Sequence, residues 1–296
     1  MDLSIIIPSF NGGEMIKKLV RKINDLLRDK FTFEILIVFD NGSDITWKSI
    51  KDLKDEFPDS TNVYHLAKNY GQHRAIQFGF GKAKGDFVVT IDEDLQHDPS
   101  DIFNLIEMQK NGSYDIVYGR FSNQKNNGVR NFISTSIRKI LKHFIPSLYE
   151  DYSPYRLIKS EIAFRTSTMV CPYTFIDDFL SRVTQNIAFV DISHFKRNEG
   201  HSSYTFVKLL KHGIFILLAY SRIISWLLVA AGLITFFGAL LLILNIKSPF
   251  LNYPIIIKVF GVGLFLIIIS LLGTFINHRN VLLNTREVKV LNENSL

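Results

Sequence analysis

Over residues 2–120, short apolar runs alternate with longer stretches whose apolar positions recur every three or four residues. The runs at 3–7, 34–39, 63–66, 87–91 and 115–118 predict strands; the stretches at 14–28, 46–57, 73–83 and 99–110 predict helices. This alternation implies an α/β fold with a mainly parallel sheet covered by helices on both faces. Ligands bind such sheets beyond the carboxyl ends of the strands. Those ends carry Pro8-Ser9-Phe10-Asn11, Asp40-Asn41-Gly42-Ser43 and Asp92-Glu93-Asp94-Leu95-Gln96. Three polar clusters are therefore expected on one rim.

The acidic cluster carries the most chemistry. Asp92 and Asp94 stand at i and i+2 after a buried strand, and an extended chain sends such a pair to the same side. Two carboxylates suit a hard divalent cation, Mg²⁺ or Mn²⁺, which binds through oxygen and completes its shell with phosphate. The alternative is a solvated turn that ends a strand. No G-x-G-x-x-G and no G-x-x-x-x-G-K-[ST] occurs, and Gly79-Phe80-Gly81 falls in or at the end of a helix. A dinucleotide oxidoreductase and a P-loop enzyme are thus disfavoured.

Beyond residue 120 the pattern changes. Residues 122–128 are polar and rich in asparagine, which predicts a loop. Residues 137–145 are basic and amphipathic, either an interfacial segment or an ordinary helix packed on the sheet. Residues 204–220 have a similar character. Two runs, 223–244 and 259–276, contain no charged residue. A helix of about 20 apolar residues spans a bilayer, so two transmembrane helices are expected, with Lys258 snorkelling towards the headgroups. The organisation expected is a cytosolic α/β domain at 1–200, with a polar loop and amphipathic segment near 120–150. A juxtamembrane helix at 201–222, two spans within 223–276 and a cytosolic tail at 277–296 complete it.

Composition sharpens this picture only in places. Of 296 residues 47% are hydrophobic, with 25 Phe against 2 Trp, and the net charge is +6. Lys208, Lys211 and Arg222 precede the first apolar run, and His278, Arg279, Arg286 and Lys289 follow the second. That bias favours both ends inside and reads as attraction to a membrane surface. No nucleic-acid-binding motif accompanies the charge, so no nucleic-acid partner is expected. The single Cys171 fits a reducing compartment, and the amino terminus carries no secretory signal pattern.

The motifs Ile7-Pro8-Ser9-Phe10-Asn11, Asp40-Asn41-Gly42-Ser43, Asn69-Tyr70-Gly71-Gln72-His73 and Gly85-Asp86 occur in order. Asp92 to Gln96 with Pro99, then Arg197 through Gly200 and Ser202 to Tyr204, complete the series. Together they resemble the polyprenyl-phosphate branch of glycosyltransferase family 2, which includes dolichol-phosphate mannose synthase and undecaprenyl-phosphate glycosyltransferases. The resemblance implies a GT-A fold and inverting transfer of a sugar from a nucleotide sugar, expected to be UDP-linked, to a polyprenyl phosphate. It implies donor binding by Pro8, Ser9, Phe10, Asn11, Asp40, Asn69, Gly71, Asp92 and Arg197. It implies a metal site at Asp92, Asp94 and Gln96, and an acceptor-phosphate site at Arg120, Arg130, Ser134, Ser202 and Tyr204. Asp94, Asp151 and Arg130 would lie nearest the reacting centre. A bacterial inner membrane, with the catalytic domain cytosolic, and a homo-oligomer are the implied setting.

Several positions depart from the family pattern. Gly12-Gly13 precede Glu14 where relatives show acidic residues. Asn41 replaces the second acid of a D-D-G-S motif, Glu93 replaces a small residue between the two aspartates, and Ser203 replaces a lysine. The segment Asp151-Tyr152-Ser153-Pro154-Tyr155-Arg156 lacks the usual glycine. Three rivals remain in view: a processive polysaccharide synthase, a membrane-anchored glycosyltransferase with another acceptor, and a non-catalytic nucleotide-sugar-binding subunit. The first lacks its Q-x-x-R-W signature; the last would carry a damaged acidic site.

Overall fold

The computed structural model describes residues 1–121, 148–149, 151–170, 174–192, 223–243, 258, 260–269, 271–272 and 290–293. Strand β1 (Leu3–Ser9) is buried along its whole length. It pairs in parallel with β2 (Phe33–Phe39) on one side and β4 (Phe87–Thr90) on the other; β2 pairs in parallel with β3 (Thr61–Leu66). A strand covered on both faces reads as an unbroken apolar run, which is why Ile5, Ile6 and Ile7 are consecutive and all 0% exposed. Each buried side chain of this kind contributes roughly 1.5–3 kcal/mol.

The remaining strands are β5 (Ile116–Phe121), β6 (Arg156–Lys159), β7 (Ile187–Ile192) and β8 (Val290–Glu293). The order across the sheet is β7-β5-β6-β4-β1-β2-β3-β8. β6 runs antiparallel to both β4 and β5, and β8 runs antiparallel to β3. The sheet is therefore mixed at two places, although most neighbours are parallel as expected. β6 and β8 have four residues each, too short for a periodic signal to separate them from loop.

Helices α1 (Glu14–Leu27), α2 (Asp44–Glu56) and α4 (Ile102–Gly112) cover one face, packing Leu19, Ile50 and Leu105 on Ile5, Ile37 and Val89. Helices α3 (Gln72–Phe80), α5 (Ser160–Ser167) and α6 (Ile176–Val183) cover the other, where Ile76, Ile162 and Leu180 meet Ile6, Leu36 and Val88. The helix expected at 99–110 opens as a 3₁₀ turn, Pro99–Asp101, before α4. α3 ends at Phe80 rather than 83, with Gly81 at its cap. α5 and α6 were not expected; each spans only eight residues.

Helix α7 (Ile223–Ile243) has 21 residues and no charge. Its side chains are described in an interrupted stretch from Trp226 to Leu240. Among the described residues no helix is long and apolar enough to cross a membrane, so the two expected spans are not supported there. A second helical stretch at 260–269 packs on α7. A Cβ on Gly263 would lie 2.4 Å from Thr235 Cγ2, so glycine is what lets the two helices approach. The amphipathic segments at 137–145 and 204–220 lie outside the described residues.

Candidate active site at the carboxyl rim of the sheet

Parallel order brings the carboxyl ends of β1, β2, β3, β4 and β5 to one rim. β6 runs the other way, so it begins where its neighbours end: Arg156 stands opposite Thr90 of β4 and Tyr118 of β5. The segment 151–155 therefore enters from the same rim. Pro8 to Asn11, Asp40 to Ser43, Asn69 to Gly71, Asp92 to Gln96, Arg120 and Asp151 are accordingly all placed at one edge of the sheet. Arg130, Ser134, Arg197, Ser202 and Tyr204 lie outside the described residues, as does Cys171.

The β1 and β2 loops touch. Asn11 Oδ1 accepts from Ser43 N at 3.0 Å, and Ser43 Oγ caps α2 by accepting from Thr46 N at 3.4 Å. A Cβ on Gly42 would stand 1.3 Å from the carbonyl oxygen of Phe10; only glycine permits that approach. Asn41, at φ 55, sits in the left-handed region that asparagine tolerates. The Phe10 ring is 40% exposed at the mouth of this pair of loops, open to stack on a planar group.

Asp40 is buried, and each of its oxygens accepts a backbone bond at 2.7 Å, from Tyr70 N and Gly71 N. Burial raises its carboxyl to about 6, against the pull of those two donors. Asp40 thus holds the turn at Asn69–Gly71, where Gly71 takes φ 91 as the N-cap of α3. Asn69 remains exposed. One residue on, Gln72 Nε2 donates to Asp92 Oδ1 at 2.6 Å. His73 packs edge-on to Phe175, and His97 lies buried against Tyr155, so both imidazoles have packing roles.

In the acidic loop, Asp94 Oδ1 accepts from Gln96 N at 3.2 Å. Leu95 between them is held at φ 59, a strained conformation for a branched side chain and one that sharpens the turn. Glu93 points the other way, into the β1 loop. Its carboxylate accepts from Ser9 Oγ at 2.5 Å, Phe10 N at 3.1 Å and Asn11 N at 3.2 Å. Burial pushes its carboxyl up, opposed by those three donors. Among the described residues no group of three or more His, Cys, Asp or Glu could hold a metal ion. The loop offers two carboxylates and the Gln96 amide, which suits a hard cation only when substrate phosphate and water fill the remaining positions.

Beneath the rim lies a buried polar network that sequence reasoning missed. Arg156 is 1% exposed and pairs with Asp177 of α6, while its Nε donates to Thr90 Oγ1 at 3.1 Å. Tyr118 OH donates to Asp177 Oδ1 at 3.0 Å. Burial pulls the guanidinium pKa down, but Asp177 and Tyr118 raise it past its ordinary value, so the cation persists. The available signal was an arginine opening a short run, Arg156-Leu157-Ile158-Lys159, whose two apolar residues lie between two cations. At the far side, Arg120 on β5 is half exposed and donates to Asp191 Oδ1 of β7 at 3.0 Å.

A family model described as glycosyl transferase family 2 matches residues 4–176. An undecaprenyl-phosphate 4-deoxy-4-formamido-L-arabinose transferase of Proteus mirabilis (strain HI4320) is 29% identical over 210 residues, covering 70% of this chain and 64% of that protein. The chain therefore spans under two thirds of that relative's length. The protein of the same name in Enterobacter sp. (strain 638) is 27% identical over 247 residues, covering 82% and 73%. Among solved structures, glucosyl-3-phosphoglycerate synthase of Mycobacterium tuberculosis with Mn²⁺, UDP-glucose and phosphoglyceric acid superposes with TM-score 0.57 at 17% identity, covering 74% of this chain and 78% of that one. Mannosyl-3-phosphoglycerate synthase of Rubrobacter xylanophilus gives TM-score 0.56 at 18% identity, covering 76% and 74%. At such identities the likeness shows the fold alone, and that fold is the expected GT-A type.

Proposed function

Because the chain belongs to glycosyltransferase family 2, we propose that it transfers a sugar, with inversion, from a UDP-sugar to a polyprenyl phosphate. Undecaprenyl phosphate is the acceptor of choice, at the cytosolic face of a bacterial inner membrane. The observation that carries this reading is the meeting of two loops, at 8–11 and 40–43, with the acidic pair Asp92 and Asp94 on one rim. The acceptor class is supported by the names of the curated relatives, and the donor and cation by the UDP and Mn²⁺ complexes of the structural neighbours.

Asp92 and Asp94, with Gln96, would hold Mg²⁺ or Mn²⁺. Bound there, the cation supplies charge neutralisation for the departing diphosphate. Phe10 stacks on the base, the turn at Asn69–Gly71, held in place by Asp40, faces the donor, and Arg197 adds a charge-assisted contact to its diphosphate. The acceptor phosphate has its second pKa at about 6 and is already an anion at neutral pH. It needs aim and desolvation more than a general base. Arg120, Arg130, Ser134, Ser202 and Tyr204 supply the aim; Asp151 orients one of the arginines. The Arg120–Asp191 pair does not oppose this, because an exposed ion pair is worth about 0–1 kcal/mol and a phosphate dianion displaces it readily.

Membrane anchoring through α7 and its partner belongs to the same proposal. Trp226, Val229, Leu233, Phe236 and Phe237 are each at least 53% exposed along α7. The pairing of β8 with β3 returns the chain to the sheet after the two apolar runs, which agrees with both ends on one side.

Purified full-length protein with Mn²⁺ or Mg²⁺ is expected to move labelled sugar from a nucleotide sugar onto undecaprenyl phosphate, and Asp94→Ala to abolish transfer with the fold intact. Unchanged turnover in that variant rejects the cation site. Arg130→Ala is expected to weaken use of the lipid phosphate; a selective loss of nucleotide binding contradicts its allocation. Thermal stabilisation by a panel of nucleotide sugars identifies the donor.

A further inference from the structure

Glu93 has no direct place in that chemistry. It lies between the two aspartates, yet its carboxylate turns into the β1 loop and accepts from three of its donors: Ser9 Oγ, Phe10 N and Asn11 N. All three partners donate, so the carboxylate is bound as a pure acceptor. A ready anion-sized cradle of backbone N–H groups is thereby filled from within the protein. Gly12 completes the fit. A Cβ there would lie 2.2 Å from Glu93 Oε2 and 2.5 Å from its Cδ. The end of a glutamate side chain is ordinarily free to move from such a clash; here it is pinned at three points, so moving it breaks the bonds that hold the loop.

We propose that Glu93 is a positioning residue that locks the nucleoside-binding loop of β1 to the cation loop of β4, and that Gly12 is glycine in order to admit its carboxylate. The lock fixes the distance between base and diphosphate sites. A nucleotide that orders residues 9–11 therefore also orders Asp92 and Asp94, and a cation bound by those aspartates steadies the base loop in return. By reciprocity the two sites change one another's affinity by the same factor. Glu93 also leaves the N–H groups of Phe10 and Asn11 without capacity for the base. Base recognition at this loop then falls to the Phe10 ring and to carbonyl acceptors. The inference rests on reading the rim as a nucleotide and cation site.

The test is a double-mutant cycle on the full-length protein with Gly12→Ala, Glu93→Ala and the pair. Three quantities are read: thermal midpoint without ligand, UDP affinity by calorimetry, and Mn²⁺ affinity by electron paramagnetic resonance with and without UDP. None of them needs turnover or an identified acceptor. Gly12→Ala is expected to weaken both UDP and Mn²⁺ about tenfold in the parent, and to add little once Glu93 is alanine. Glu93→Ala is expected to cut the mutual enhancement of UDP and Mn²⁺ binding several-fold, and Glu93→Gln, whose carbonyl oxygen can still accept from Phe10 N and Asn11 N while its NH₂ donates to the Ser9 hydroxyl, to behave like the parent rather than like the alanine. Additive effects of the two alanines, or an enhancement that survives in Glu93→Ala, overturn the lock. If the parent itself fails to bind Mn²⁺, the cation reading fails instead. The cycle in thermal midpoint still decides whether Gly12 and Glu93 act as a unit.

Discussion

Removing one charge from beneath the rim is expected to cost more than removing any charge upon it. Arg156 and Asp177 are 1% and 4% exposed and are each other's buried counter-ion, with Thr90 and Tyr118 supplying the remaining bonds. Asp177→Asn keeps the shape and one acceptor but leaves the guanidinium desolvated without a full charge beside it. Breaking a buried pair in this way costs about 3–5 kcal/mol, because the surviving charge has lost both water and partner. For a domain near 200 residues, one kcal/mol shifts the midpoint by about 2–4 °C, so a loss of roughly 6–20 °C follows. Intrinsic-fluorescence melting of the full-length protein in detergent reads this directly. Arg156→Met combined with Asp177→Leu is expected to recover only part of the loss, since apolar residues of similar volume remove the desolvation penalty together with the pair but leave the buried Tyr118 hydroxyl without its acceptor, at about 1–3 kcal/mol. A single Asp177→Asn variant within 2 °C of the parent, or a double variant worse than the single, refutes the reasoning.

Two further outcomes follow from the loops. Folded Asp40 holds its proton up to about pH 6, whereas the unfolded carboxyl releases it near 3.8. Its contribution to stability is therefore full below about pH 4 and is lost as pH rises through about 6, an effect on the order of 3 kcal/mol. The melting difference between the parent and Asp40→Asn is expected to shrink between pH 4 and pH 7; a constant difference means Asp40 titrates normally. Gly42→Ala places a methyl on the Phe10 carbonyl oxygen and must part the β1 and β2 loops. Calorimetry is expected to show UDP affinity reduced at least tenfold with little change in melting, and an unaltered affinity shows that the two loops do not act together.

Two departures from the family pattern turn out to explain each other. Gly12 and Glu93 read in the sequence as separate losses of familiar residues, one a missing acid and the other an intruding one. In the folded chain the carboxylate of the second occupies the space that the first leaves open. Asp40 is a different case. Its position at the end of β2 was legible, and its placement at the rim followed, but both oxygens are engaged by the turn at Asn69–Gly71. On the proposed reading it acts on the donor by shaping that loop.

The sequence alone determined the succession of the first strands along the chain and their mainly parallel pairing, and with them which loops share a rim. Burial on both faces demands unbroken apolar runs, and parallel pairing puts every carboxyl end on the same side. Folding in three dimensions decided the rest. β6 was invisible because four residues carry no period, yet its reversal brings Arg156 opposite Thr90 and Tyr118. Asp177 became its counter-ion only because α6 packs over that face. Such partners depend on register between strands and on which side of a turn a side chain leaves, quantities set by the packing of the whole sheet and by no local run of residues.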